Sequence, residues 1–419
     1  MSGDPVRAQY EVYPYPARDP RDEAKRLITG SPSQLRELTH WLFAGRLPQG
    51  KAAGESRDRP FRVLVAGGGS GDALTMLAQQ TADAGIVADI HYVDLSEATR
   101  KVAEARIAAR GLTDRVTFRT GSLLDAAEWG PFDYIDCCGV LHHLPVPQDG
   151  FRALADALAP QGGMGIMVYG ETGRTGVYET QAALRLLARD DETPERKVAL
   201  AKRYLNALPA SNRLVRNPLV RDHKTGGDAG LYDLLLHSTD RAYTVPQLEA
   251  EIAAAGLRTV TYIDPARYAP ETYTREQDLR SRAAAMTPDD RAALAEAMAG
   301  NMPVHIAYLT RADRSDDPVA RIVPEAVPVF RDAETEAEFR AMPPGAPSLP
   351  VSVDGLDLAL PLPRDAKPIL DRIDGVRSLE QIRADLPAQP DWQRFEKSFS
   401  QLFAALNGFS RLFLTRPSA

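Results

Sequence analysis

Cysteine is nearly absent from this chain. The only two, Cys137 and Cys138, stand side by side in an apolar run, so neither a disulfide framework nor a metal site of spaced thiolates can be built from them, and a reducing compartment is expected. Long hydrophobic runs are missing as well. Met1 to Ala24 is polar and rich in proline and charge, and no later stretch has the length needed to cross a bilayer, so the expectation is a cytoplasmic protein with no membrane partner. A basic excess is the third absence. The formal net charge of −7 argues against general nucleic-acid binding, which needs a broad positive face to neutralise phosphates. What is present is a globular composition, 44% hydrophobic and 26% charged over 419 residues, enough for two or three domains with packed cores.

Periodicity divides the chain. Residues 1–60 form an N-terminal extension rich in proline and tyrosine, with an amphipathic segment at Pro32 to Phe43. Strand and helix patterns then alternate: strand Phe61 to Ala66, helix Asp72 to Gln80, strand Asp89 to Val93, helix Ser96 to Arg110, strand Val116 to Arg119, strand Phe132 to Cys138, helix Gln148 to Leu158 and strand Gly163 to Tyr169. This alternation predicts a doubly wound, mostly parallel α/β sheet. Residues 171–243 break it and read as a mostly helical insertion. The pattern resumes with a helix opened by Thr244-Val245-Pro246, a strand at Leu257 to Ile263, helical residues from Pro270 to Met298 and a strand at Val304 to Thr310, which closes a domain spanning 61–310. An acidic, Pro/Ala-rich linker is expected at 311–345, followed by a small α+β domain at 346–419.

In an open sheet of this kind, ligands sit outside the carboxyl ends of the strands. The first strand ends in Gly67-Gly68-Gly69-Ser70-Gly71 followed by Asp72. Glycines there let the backbone approach a ligand, and the following helix offers free N–H groups. A dinucleotide fingerprint would place its last Gly or Ala on Asp72, so that reading fails. The acid at the helix start would repel a pyrophosphate and tolerate an ammonium. The second strand ends at Asp94-Leu95, where a carboxylate can accept both ribose hydroxyls, although Asp94 or Ser96 could instead cap the next helix. Ser122 and Leu123 follow the third strand as candidate adenine contacts. Gly139, His142 and His143 follow the fourth, and the histidines are candidates for a base or an acceptor-side group. Adjacent histidines are not expected to converge on one ion, so no metal is expected.

Val63-Leu64-Val65-Ala66-Gly67-Gly68-Gly69-Ser70-Gly71, with Val93-Asp94-Leu95-Ser96 and Gly139-Val140-Leu141-His142-His143-Leu144, resembles the class I S-adenosylmethionine-dependent methyltransferases. The resemblance implies a seven-stranded sheet with its last strand antiparallel, S-adenosyl-L-methionine as cofactor, the glycine loop beneath the methionine part and Asp94 on the ribose. Val65 and Ser122 depart from it, standing where the family often has acids. Tyr10-Glu11-Val12-Tyr13-Pro14-Tyr15-Pro16 resembles the opening segment of some bacterial members. It is a Pro-braced strip whose Tyr10, Tyr13 and Tyr15 could form a lid over the cofactor or pack outside.

Methyl transfer needs alignment of acceptor, methyl and sulfur. It also needs a base where the acceptor carries a proton: His142 or His143, with Tyr13, Tyr15, Tyr169 and Glu171 as alternatives. The insertion should roof the acceptor side. Between Arg196 and Lys224 it carries eight Lys/Arg against one Asp, a solvated face or an attractor of acidic acceptors. The C-terminal unit resembles small winged-helix or peptide-chaperone-like domains. Its nine basic and nine acidic residues from Ala346 onward give no support to DNA binding, leaving dimerisation, covering the catalytic domain or presenting a peptide. Expected partners are therefore a small-molecule or protein acceptor and a second copy of the chain. The alternative to an enzyme is a scaffold that holds the cofactor without turning it over.

Overall fold

The computed structural model describes residues 5–48, 50–51, 58–189 and 191–416. The expected N-terminal extension falls outside them at 1–4, 49 and 52–57, and the expected C-terminal unit at 417–419.

Seven strands form the central sheet: β1 (Phe61–Ala66), β2 (Ala88–Asp94), β3 (Val116–Thr120), β4 (Phe132–Cys138), β5 (Leu158–Tyr169), β6 (Leu257–Ile263) and β7 (Val304–Arg311). Their order is β3-β2-β1-β4-β5-β7-β6. The first five are parallel, and β7 runs antiparallel to both its neighbours. The chain steps outward from β1 to β3 and then restarts at β4 on the other side of β1. The crevice at the carboxyl ends of β1 and β4 is thus the switch point where ligands bind in such sheets.

The strands are apolar because both faces are covered. Val63 and Val65 pack with Leu74, Leu77 and Tyr134 on one face. Leu64 and Ala66 pack with Ile135, Phe151 and Leu154 on the other, as the period of two requires. Helices Asp72–Asp83, Glu97–Ala109 and Pro147–Asp156 supply these layers. The segment between β5 and the helix Val245–Ala254 is helical at Val177–Leu187, Pro194–Ala207 and Gly227–Leu235 and has its own small core around Val177, Leu184, Leu214 and Leu231.

Two expectations change. The Tyr10 to Pro16 strip is not extended throughout, because Pro5–Val12 is helical and only the residues after it form the strip. The 311–345 linker contains structure: Val327–Phe330 pairs antiparallel with Leu412–Thr415, and Ala333–Ala341 is a helix. Phe330 and Phe339 join the C-terminal core with Ile369, Phe395, Phe399 and Leu402. Its acids include Asp313, Asp316, Asp317 and Glu325 before the helix and Glu334, Glu336 and Glu338 on it, so composition alone makes the stretch read as a linker. The unit also contains a hairpin, Ser348–Val353 with Leu356–Pro361, and helices Ala366–Leu370, Leu379–Ala384 and Trp392–Asn407. It docks on the sheet domain, where the Leu414 backbone N–H donates to His40 Nδ1 at 3.2 Å and that of Ala266 to the Gly408 carbonyl at 2.9 Å. Among the described residues, no helix is long and apolar enough to cross a membrane.

Candidate active site

A cavity of about 710 Å³ opens at the switch point. Its floor is the loop after β1, formed by Gly67, Gly68 and Gly69. Gly69 has φ +51, a conformation that L side chains rarely adopt, and a Cβ on it would stand 3.0 Å from the Tyr15 carbonyl oxygen. At Gly68 a Cβ would meet the Tyr92 ring at 2.4 Å, so the loop lies directly on that ring. Gly71 does not line the cavity. It caps the helix Asp72–Asp83 and packs on Ala103.

Asp94 ends β2 in the cavity wall. One carboxylate oxygen accepts from the Gly69 N–H at 2.8 Å, the other from the Ser96 N–H at 2.9 Å. The helix cap is Ser96, whose hydroxyl accepts from the Thr99 N–H, which leaves Asp94 to join the two strand ends. Burial raises the Asp94 carboxyl pKa, and these hydrogen bonds oppose the rise. Leu95, Ser122, Leu123 and Gly139 also line the cavity. The Ser122 hydroxyl is engaged as a cap, accepting from the Leu124 N–H at 3.2 Å.

Asp72 is not the free acid expected at the helix start. Arg18 holds it at 2.9 Å and 2.6 Å, and the buried Arg106 holds it at 2.7 Å. Burial pushes its carboxyl up, but the two guanidinium partners outweigh that and hold it below the usual range. Arg18 itself comes from the N-terminal segment, which thus fastens across the loop.

The insertion contributes Arg174, Leu219, Val220, Asp222 and Asp233 to the cavity lining. Asp233, on the helix Gly227–Leu235, accepts from the phenols of Tyr10 at 2.9 Å and Tyr169 at 3.2 Å. Burial raises its pKa. The Arg174 guanidinium lies 3.6 Å from the Tyr169 ring centre. His143 lines the cavity, and its Nδ1 donates to the Thr239 carbonyl at 3.0 Å, so its Nε2 is the bare nitrogen. Burial pushes its pKa down to about 4, and the ring is neutral at pH 7.

Three proposed acceptor-side residues lie elsewhere. His142 is behind the wall, 1% exposed, with neither ring nitrogen hydrogen-bonded to the protein. Tyr13 packs on Tyr232, and Glu171 is exposed; neither lines the cavity. Tyr13 directly follows the helix Pro5–Val12, its N–H donating to the Gln9 carbonyl at 2.8 Å, and its ring packs against the core of the insertion. Sequence reasoning missed Arg18, Asp136, Asp222 and Asp233, all of which line the cavity. Asp136 had a legible signal, an acid inside an otherwise apolar strand. It is buried, accepts from Ser33 Oγ at 2.5 Å, and is pushed up to about 6 by burial.

A seven-stranded sheet in this order, with its penultimate strand antiparallel and its cavity at the β1/β4 switch point, defines the class I methyltransferase fold. Residues 64–164 match the family described as "Methyltransferase domain". Among solved structures, PKMT2 from Rickettsia typhi in complex with AdoHcy has the same fold. Its TM-score is 0.61 at 16% identity, over 92% of this chain and 76% of that one. An uncharacterized protein of Synechococcus sp., syc1184_c, is 34% identical over 281 residues, 66% of this chain; the chain spans only 64% of that relative's length. The ubiquinone biosynthesis O-methyltransferase of Bordetella avium is 26% identical over 228 residues, 52% of this chain and 86% of that one.

Proposed function

We propose that this protein is an S-adenosylmethionine-dependent methyltransferase that binds its cofactor on the loops after β1, β2 and β4 and methylates an acceptor held beneath the helical insertion. The observation that carries this reading is the placement of Asp94. Oδ2 accepts one backbone N–H, and Oδ1 accepts one backbone N–H and a long contact from the Thr99 hydroxyl at 3.5 Å, so the carboxylate keeps capacity to accept from ribose hydroxyls. The Gly67–Gly69 floor, bare of side chains, fits a nucleoside lying against the backbone. The AdoHcy bound to Rickettsia typhi PKMT2 supports the same ligand class. Once bound, the cofactor supplies a methyl group on a sulfonium for in-line transfer.

The protein's own part is positioning and proton handling. The Tyr10, Tyr15 and Tyr169 rings border the acceptor side and exclude water; such orientation supplies on the order of 7–11 kcal/mol in well-aligned reactions. His143, neutral with a bare Nε2, can take a proton from a hydroxyl or ammonium acceptor. His142 acts only through its neighbours, since it does not reach the cavity. The Tyr15-Pro16 segment over the glycine loop, latched by Arg18 on Asp72, is the lid.

Calorimetric titration with S-adenosylhomocysteine and with NAD tests the cofactor. We expect binding of the former, weakened roughly 10- to 150-fold in Asp94→Ala by loss of a charge-assisted hydrogen bond. Tight binding of NAD alone would overturn the reading. Radiolabelled cofactor incubated with size-fractionated lysate then tests turnover. Label in large species marks a protein acceptor and label in small ones a small molecule, while label that never leaves the cofactor pool leaves a non-catalytic scaffold.

A further inference from the structure

Behind the acceptor wall, three ligand-bearing side chains meet without filling one another's hydrogen-bonding needs. His142 and His143 lie on one 3₁₀ turn, Leu141–His143, with ring centres 4.2 Å apart and planes tilted by 55°. Asp240 arrives from the end of the insertion with its side chain fully buried. One ligand atom from each of the three lies within 4.8 Å of the other two. Both His142 ring nitrogens and Asp240 Oδ1 are buried without a protein partner.

We propose that His142, His143 and Asp240 bind a divalent first-row transition-metal ion of the zinc class in the wall of the cavity. Two imidazoles and one carboxylate suit such ions better than calcium or magnesium, and three protein ligands leave a position open. The supporting contacts are those metal ligands usually have. The Thr239 carbonyl takes the Nδ1 proton of His143 and leaves Nε2 bare; that lone pair serves either the ion or an acceptor's proton, so His143 is the base only in the metal-free protein. Gln181 at 2.8 Å and Arg174 at 3.5 Å occupy Asp240 Oδ2, which leaves Oδ1 for the ion. Ligand atoms around a tetrahedral ion stand about 3.3 Å apart, and rotation of the unpartnered His142 ring and the Asp240 carboxylate supplies the approach. The proposal departs from the expectation that adjacent histidines do not converge, on the ground that one 3₁₀ turn sets their ring planes 55° apart.

A second trio, His143, Asp233 and His237, is as compact but fits an ion less well. The His143 and His237 rings stack at 3.8 Å and 22°, so their in-plane lone pairs run side by side. His237 Nδ1 accepts the Thr239 N–H, which places the proton on Nε2. Both Asp233 oxygens already accept from phenols.

The test uses the full chain, stripped with chelator and titrated with Zn²⁺ by calorimetry and with Co²⁺ by visible absorption. We expect one ion per chain, with Co²⁺ bands of low-symmetry nitrogen and oxygen coordination. His142→Ala and Asp240→Asn should each weaken Zn²⁺ binding by more than about 100-fold, beyond the loss typical of outer-shell changes, and His237→Ala should change it by less than about 10-fold. Asp240→Asn, nearly isosteric, decides the matter if His142→Ala does not fold. Absence of uptake by the folded wild type, wild-type affinity in Asp240→Asn, or loss confined to His237→Ala would each overturn the site.

Discussion

The two ends of the cavity are built in opposite ways. At the cofactor end, the carboxylates and the phenol are paired, Asp94 by Gly69 and Ser96, Asp72 by Arg18 of the N-terminal segment and by Arg106, and the Tyr92 hydroxyl by the Gly69 carbonyl at 2.6 Å, while Ser70 Oγ and Arg106 Nη2 are buried there without a partner among the described residues. At the acceptor end, Arg174 Nε in the lining and, behind the wall, His142, His237 Nε2, Asp240 Oδ1 and the Tyr178 hydroxyl are buried without partners among the described residues. Each such group costs roughly 1–3 kcal/mol. A paired end is rigid before anything binds, whereas an end with several unpaired groups is completed by what occupies it. On the proposed function, this contrast fits a preorganised cofactor end and an acceptor end that its occupant completes.

The largest effect expected from breaking one end alone comes from Gly69→Arg. A side chain at φ +51, with the Tyr15 carbonyl oxygen 3.0 Å from its Cβ, would strain the loop and occupy the floor of the cavity. We expect S-adenosylhomocysteine binding to fall below detection by calorimetry while Zn²⁺ uptake at the acceptor end is retained. Concerted loss of both, in a protein that still unfolds cooperatively, would show that the ends are not independent.

The same contrast explains what the sequence made legible. The cofactor end is local: strand, glycine turn and helix follow one another within a few residues, and β1, β4 and β6 match their expected limits residue for residue because their apolar runs are bounded by turn residues. The acceptor end joins Tyr10, His143, Tyr169, Arg174, Asp233 and Asp240, which no periodicity connects. Asp233 in particular sits in a helix whose spacing signals only amphipathicity. Arg18 was hidden for a similar reason, since a basic residue in a proline-rich tail reads as solvated until its partner across the loop is known. The linker was misjudged because Val327–Phe330 is a strand of four residues that pairs with the far end of the chain.

A carboxylate that belongs to neither end calibrates the cost of leaving such groups unpaired. Glu37 is fully buried, with Oε2 accepting from Ser31 Oγ at 2.7 Å and Oε1 unpartnered. Burial pushes its carboxyl up to about 7. Between the unfolded value of about 4.3 and that folded value, the native protein holds a proton the unfolded chain has released. The stability linked to this group is therefore full below about pH 4 and lost as pH rises through about 7, roughly 4 kcal/mol in all. Glu37→Gln does not titrate, so its stability relative to wild type should rise from about pH 5 to about pH 8 in denaturant unfolding. A difference that stays flat with pH would show that the buried carboxylate is better compensated than its contacts indicate.

The smallest effect probes how far the cofactor end extends into the N-terminal segment. Arg18 meets Asp72 with two parallel hydrogen bonds, but both side chains are 31% exposed, so solvent limits the pair to about 1 kcal/mol or less. Arg106 still neutralises Asp72 when Arg18 is removed, and the loop beneath should keep its shape. Arg18→Ala is therefore expected to weaken S-adenosylhomocysteine binding only about 2- to 5-fold, with the change in the release rate measured by stopped flow and the association rate preserved. If release is unaltered, the Tyr15-Pro16 segment is packing on a finished site. If release quickens, the latch is part of how the preorganised end keeps its ligand.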